Sequence, residues 1–383
     1  MGTPKAPHRP TRRPPPAIVV RTLISCVSFL ERLRRRLMPP EVIMLDLLMQ
    51  SFAIKATFAT ARIGVPDQLR SGPVSIEALS NATGTHAPSL YRVLRALASV
   101  GIYRELADGR FALTRASQAL RSDHPTSIRD LCVMAAEPWH EQMWIEMVHA
   151  LKTGRSAFVQ AHGEPVFEYL QRNPEAGAVF DRAMTAQSRA HSAAIAAAYP
   201  TDKVSTLADI GGGRGQLLSA LLVRNPELRG TLFDQPSAVQ EAQTTLADAG
   251  VQTRCELISG SFFDSVPAGA DVYMLKHIIH DWNDDAALAI LRNCYRAMKP
   301  TSKLVLIEAI VPPGNQPSFS KLTDLEMLVL TDGGRERTKT EFVSLLSRAG
   351  FSLHRVLPTG STLSLLEFTR IWPFEGTCLM AWR

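Results

Sequence analysis

From about Pro40 the apolar positions recur with a helical period. Ile43, Leu47, Phe52, Ile54 and Ala59 mark a long apolar face that runs up to Gly64-Val-Pro66. A short helix is expected over Ser75–Ser80, then a turn at Thr83-Gly84-Thr85. Leu90, Val93, Leu94, Leu97 and Val100 share one stripe of the next helix. The runs Gly101–Leu106 and Arg110–Thr114 flank Asp108-Gly109 and read as a β-hairpin. Helix, turn, helix and hairpin together make a winged-helix pattern. Residues 126–200 read as helical throughout, and Pro200 marks a boundary. Beyond it, strands alternate with helices: Thr206–Ile210, Gly230–Phe233, Cys255–Ser259, Val272–Leu275 and Lys303–Ile307. That alternation predicts an α/β domain built on a Rossmann-like, doubly wound parallel sheet. There is no internal repeat.

Composition changes this picture only at the ends. The 383 residues suffice for two domains, and 45% hydrophobic content supports a globular core. Several of the 25 prolines fall in the first 40 residues, and residues 1–16 are expected to be disordered. Much of the net charge of +6 comes from the arginines between Arg12 and Arg36, so it says little about the folded body. A winged helix can bind DNA, but its second helix offers only Arg92 and Arg95 for base reading. It can equally be a dimerisation platform, and no nucleic-acid partner is expected. Ala17–Leu37 is apolar but interrupted by Arg21, and its uninterrupted part is too short to span a bilayer. It reads as a poorly ordered basic arm or an amphipathic helix on a partner subunit; membrane-surface contact is a third reading, without stable insertion. The five cysteines are scattered without a C-x-x-C pair, which suits a reducing cytoplasm and argues against a disulfide framework or zinc site.

The chemistry concentrates where strands end. Thr206-Leu-Ala-Asp-Ile-Gly-Gly-Gly-Arg-Gly-Gln216 reads as a buried strand, a glycine turn and a helix start. Such a turn brings unpaired N–H groups close to a ligand. The dinucleotide fingerprint would want a third glycine at position 216, where glutamine stands. Asp209 just before the turn suits a ligand with an ammonium and a sulfonium. Asp234 ends the next strand, where an acid accepts from ribose hydroxyls. The strand Val272–Leu275 leads into Lys276-His-Ile-Ile-His280-Asp-Trp-Asn-Asp284, with Asn283 or Asp284 as helix N-cap. His277 or His280 there can be a general base, although either alone is more often structural. Glu308 and Glu336 are acids that can orient an imidazole and stabilise its charge. Met134, Trp139, Met143, Trp144 and Met147 form a stripe that is either core or the wall of an apolar pocket.

Asp209-Ile-Gly-Gly-Gly-Arg-Gly215, Phe233-Asp234, Gly260-Ser-Phe-Phe263, Lys276-x-x-x-His280-Asp-Trp-x-Asp284, Glu308 and Gly333-Gly-Arg-Glu-Arg-Thr338 carry a specific resemblance. Together they resemble the class I S-adenosylmethionine-dependent O-methyltransferases, and more narrowly the caffeate/flavonoid and bacterial polyketide or phenazine group. The resemblance spans about residues 41–368. It implies S-adenosylmethionine as cofactor, a small aromatic acceptor, no metal, and a homodimer through a mainly helical, winged-helix N-terminal domain. It implies a cofactor site at Asp209, Gly211, Gly213, Asp234, Ser261, Phe262 and Lys276, with serine at 261 where the family often has an acid. It further implies His280 as base beside Glu308 and Glu336, and Asp281 near the acceptor, with Trp139 and Met143 as pocket candidates. The resulting division is an arm over 1–39, a dimerisation domain over 40–125, a helical pocket region over 126–200, a methyltransferase domain over 201–368 and a tail over 369–383. Competing readings are an N-methyltransferase or diverged cofactor-binding enzyme on the same scaffold, and a winged-helix regulator.

Overall fold

A computed structural model describes residues 17–371, so the disorder expected of residues 1–16 and most of the tail over 369–383 lie outside the described residues. Ala17–Leu37 forms a helix, the second of the readings given for that stretch, in place of a disordered arm. Its C-terminal end is tied down by charge. Arg34 pairs with Glu31 one turn back at 3.0 Å and with Asp46 of the following helix at 2.9 Å.

The helix Pro40–Arg62 follows, as the apolar period predicts. Its apolar face, however, points outward: Leu47, Phe52 and Ile54 are all more than half exposed. The period marks a face that needs cover and says nothing of what covers it. By length and composition this helix could also cross a membrane. Ile76–Thr83 and Ala87–Ser99 come next, then a hairpin of β1 (Tyr103–Glu105) and β2 (Phe111–Leu113). Leu90, Leu94 and Leu97 pack with Leu79, Tyr103 and Phe111 in one small core. Val100, expected on the same stripe, lies exposed as the C-cap residue.

Five parallel strands follow at the expected places: β3 (Thr206–Ile210), β4 (Arg229–Asp234), β5 (Cys255–Ser259), β6 (Val272–Lys276) and β7 (Lys303–Glu308). Alternate residues serve opposite faces. Ala208, Tyr273, Leu275 and Leu304 join one core, and Leu207, Met274, Val305 and Ile307 join the other. Two further strands, β8 (Phe351–Pro358) and β9 (Ser364–Arg370), add an antiparallel edge that the reading of the sequence missed. The order is β5-β4-β3-β6-β7-β9-β8. Thr369 and Arg370 thus belong to the sheet, and the proposed tail begins too early. The break placed at 200/201 also needs revision. The helix Pro174–Ala198 and the residue after it send Ile195, Ala196 and Tyr199 into the sheet's core, while Ala176 and Ala183 pack in the helical region before it.

Buried Glu367 on β9 pins the late hairpin. It accepts from Lys303 at 3.0 Å on β7 and from Arg355 at 3.1 and 3.2 Å on β8. Its two partners are 38% exposed and can turn to water if it is lost. Glu367→Ala is therefore expected to cost about 1–3 kcal/mol in urea unfolding, and Glu367→Gln less, because the amide still accepts.

Candidate active site

β3 lies between β4 and β6, so the chain leaves it in one direction for β4 and β5 and in the other for β6 and β7. Open α/β sheets hold ligands at such a reversal, beyond the carboxyl ends of the strands. A cavity of about 450 Å³ opens there. Gly211, Gly213 and Gly215 all have positive φ, at 69°, 55° and 74°. A Cβ on Gly211 would collide with the side chain of Ile278. The loop thus needs glycine both for its backbone and for its close approach to the cavity. The helix Gln216–Arg224 starts directly behind it.

Gly211, Gly213, Asp234, Ser261, Phe262 and Lys276 all line the cavity. Asp234 accepts from Gly213 N–H at 2.7 Å and Gln235 N–H at 2.6 Å. Burial raises its pKa, and these two N–H groups oppose the rise. Lys276 is lowered by burial and held up by Asp209 and Glu308. Asp209 is the exception among the expected cofactor contacts, because it does not line the cavity. It is 1% exposed and lies beneath the loop, close enough that a Cβ on Gly212 would be 2.9 Å from its Oδ2. Burial raises its pKa to about 7, with Lys276 opposing. One carboxylate oxygen has no hydrogen-bond partner.

The opposite wall is aromatic. Trp282 stacks on Phe167 at 5.9 Å and meets Phe263 edge-on at 4.7 Å. Asn293 donates to the carbonyls of Phe262 and Phe263, both at 2.8 Å, and so fixes that turn from behind. Phe180, Met184 and Ser188 come from the helix Pro174–Ala198. Their spacing of four residues was visible in the sequence, but nothing there says which helix face meets the cavity. The pocket expectation for Trp139 and Met143 is corrected. They are 6% and 0% exposed, pack in the helical core with Phe158 and Leu170, and stand behind the residues that line the cavity rather than among them.

His280 stands one side chain back from the cavity. His277 and Asp281 line the wall, and His280 touches both: its ring lies 5.0 Å from that of His277, and its Nε2 is 3.4 Å from Asp281 Oδ1. Nδ1 faces the protein, 3.1 Å from Glu336 and 3.6 Å from Glu308. Burial would lower the pKa of His280, but Glu308, Asp281 and Glu336 outweigh it and raise it to about 10. Burial raises Asp281 to about 6 and also raises Glu308. The cluster therefore holds an imidazolium among more carboxyl groups than it can neutralise. Among the described residues, His277, His280 and Glu308 bring potential metal-ligand atoms within 4.8 Å of one another. The charge of Lys276 is felt at His277 and Glu308, which disfavours a cation there.

A second set of contacts holds this segment in place. Glu308 accepts from Ile279 N–H at 3.0 Å, and Arg335 N–H donates to the His280 carbonyl at 2.7 Å. Arg337 is fully buried and donates to the carbonyls of Ile279 and Trp282 at 2.8 and 2.9 Å and to Asp284 at 2.7 Å. Asn283 caps the helix Asp284–Ala297 by accepting from Ala286 N–H. Arg337→Ala leaves several of these acceptors unpaired and is expected to cost about 3 kcal/mol or more in thermal or denaturant unfolding. Arg337→Lys should recover only part, because lysine lacks the planar fork.

Comparison with known proteins gives a consistent picture. Residues 144–352 match the O-methyltransferase domain family, and residues 45–123 match the O-methyltransferase dimerisation domain. The chain is 41% identical over 337 residues to the phenazine O-methyltransferase PhzM of Lysobacter antibioticus, covering 88% of this chain and 98% of the relative. It is 39% identical to the mitomycin biosynthesis 6-O-methyltransferase of Streptomyces lavendulae, covering 82% and 90%. The crystal structure of LaPhzM superposes with a TM-score of 0.82 at 41% identity, covering 87% of this chain and all of that one. NcsB1 from neocarzinostatin biosynthesis, solved with S-adenosylmethionine and 2-hydroxy-5-methyl naphthoic acid, superposes at 0.70 with 33% identity, covering 83% and 95%. The chain belongs to the O-methyltransferase family and is an S-adenosylmethionine-dependent O-methyltransferase with an N-terminal dimerisation domain.

Proposed function

We propose that this enzyme methylates a hydroxyl of a small, flat aromatic acceptor of the phenolic, polyketide, phenazine or quinol type, with His280 as general base. The observation that carries the reading is one cavity with a glycine loop and Asp234 at one side, an aromatic wall at the other, and His280 behind Asp281. The residues present fit the cofactor. The glycine loop brings bare backbone to the cavity where a Cβ on Gly211 would strike Ile278, Asp234 suits a ribose, and the ring of Phe262 with Ser261 suits an adenine. S-adenosylmethionine, when bound, supplies an electrophilic methyl group on a sulfonium.

The chain's own residues do the rest. In neutral His280, Nδ1 donates to Glu336, so the Nε2 lone pair is left facing Asp281 and the acceptor side. Nε2 takes the hydroxyl proton. Glu336 and Glu308 stabilise the imidazolium that results. Asp281, on the cavity wall, positions the hydroxyl. Phe167, Phe263 and Trp282 hold the ring plane and exclude water. Buried Asp209 supports the loop from beneath.

Association through the N-terminal domain is part of the same proposal. The bare apolar face of Pro40–Arg62 overlaps the dimerisation match, which supports a homodimer. The unpaired thiols Cys26, Cys132, Cys255 and Cys294 support a reducing, cytoplasmic setting.

His280→Ala is expected to lower turnover by about 10²–10⁴-fold and to change S-adenosylmethionine affinity far less. Single-turnover rates and calorimetry check this, and equal losses in both would remove the base assignment. Because His280 is held protonated in the ligand-free enzyme, kcat/KM should rise with pH above neutrality. Glu308→Gln removes a negative neighbour, so it should shift that rise to lower pH and lower the plateau in a pH–rate profile. Phe52→Glu should shift the protein toward monomer in analytical ultracentrifugation, because it places a charge on the apolar face.

A further inference from the structure

His277 has no part in the mechanism above, yet it is the most unusual residue at the site. It is the one non-glycine residue with positive φ among the described residues, at 54°. Its N–H is spent on the sheet, donating to Ile307 O at 3.2 Å at the end of β7. Histidine tolerates the left-handed region better than most residues, but the position still stores strain, and strain of this kind gathers at ligand sites.

Both ring nitrogens of His277 are buried and without a hydrogen-bond partner, although the residue lines the cavity. A neutral imidazole carries one donor and one acceptor, and each left unmade in a buried place costs about 1–3 kcal/mol. The ring sits in a row of three. His191 lies 6.2 Å away on the helix Pro174–Ala198, also with an unpartnered Nδ1, and His280 lies 5.0 Å away on the other side. Burial, then Lys276, His280 and His191, lower the pKa of His277 well below the usual histidine range. The ring is therefore neutral at neutral pH, and one of its nitrogens carries an N–H donor. The positive charge of Lys276 is felt at the ring, so the field there favours a ligand atom with a lone pair and partial negative charge.

We propose that His277 reads the substituent beside the hydroxyl that is methylated, selecting acceptors that carry a lone-pair atom, a carbonyl oxygen or ring nitrogen, next to that hydroxyl. The assignment rests on the proposed reaction, since it places the hydroxyl at His280 and its neighbour at His277. The two imidazoles then grip two adjacent polar atoms on one edge of the acceptor ring, while the aromatic wall takes its faces.

The test uses three acceptors on one tricyclic frame: 1-anthrol, which has no neighbouring lone pair, 1-hydroxyanthraquinone and 1-hydroxyphenazine. Dissociation constants are read by tryptophan quenching in enzyme loaded with S-adenosylhomocysteine, and kcat and KM with S-adenosylmethionine. Wild type should bind the last two about tenfold or more tighter than 1-anthrol, the range expected of one buried hydrogen bond. His277→Phe should bring all three within about twofold, raising KM for the last two while leaving cofactor affinity near wild type; it should also lower thermal stability somewhat, because phenylalanine fits a φ of 54° less well than histidine, a loss that His277→Asn should not show. His277→Asn should keep most of the preference, because asparagine both donates and accepts positive φ. A Phe variant that keeps the preference overturns the assignment. So does a wild type that shows none, or that binds cofactor but none of the three. A preference that survives in binding while no hydroxyl is ever methylated would instead strike the proposed reaction and leave the recognition role standing.

Discussion

Glu308, Glu336 and His280 lie out of water at the carboxyl edge of this sheet, beside Lys276, His277 and Asp281 on the cavity wall. Isolated charges there would be prohibitively costly, so each needs a partner. Glu308 satisfies Ile279 N–H and faces His280. Glu336 hydrogen-bonds His280 and has its own N–H anchored by Asp324. Arg337 closes the arrangement from behind through backbone carbonyls and Asp284. Three separate segments, the end of β7, the turn at 279–284 and the loop at 333–338, are thereby locked into one geometry. The orientation of the imidazole follows from that lock.

The glycine loop obeys a different constraint. It depends on the absence of side chains, and on Asp234 and Asp209 supporting it from two sides. One half of the site is a cradle shaped by backbone, and the other is a charged cluster shaped by side chains. The switch between β3 and β6 places them on one cavity. The helix Pro174–Ala198 covers that cavity with Phe180 and Met184 while rooting its last turn in the sheet's core. The cover and the catalytic sheet therefore cannot be treated as separable domains.

The reading of the sequence succeeded wherever a local rule had one answer. The strands from β3 to β7 and the cap at Asn283 follow from short-range patterns. It failed where one pattern serves two purposes. A Met and Trp stripe at helical spacing packs a core as readily as it lines a pocket, and Trp139 and Met143 took the first course. An acid before a glycine turn can touch a ligand or brace the turn, and Asp209 braces it. The strands β8 and β9 went unseen because an antiparallel edge carries no helix between its strands to announce it.

Local chemistry alone thus determined the order of elements, the glycine turn, the acid at 234 and the presence of His280 near a strand end, because period, turn residues and spacing act within a few positions of the chain. Only the tertiary structure decided which side chains share the cavity, which way His280 points, and that His277 stands unpartnered beside it. Those are contacts between segments far apart in the chain: His280 and Glu336 are 56 residues apart, and Phe167 and Trp282 on the cavity wall further still. No periodicity encodes them, because burial and partner choice are properties of the packed whole.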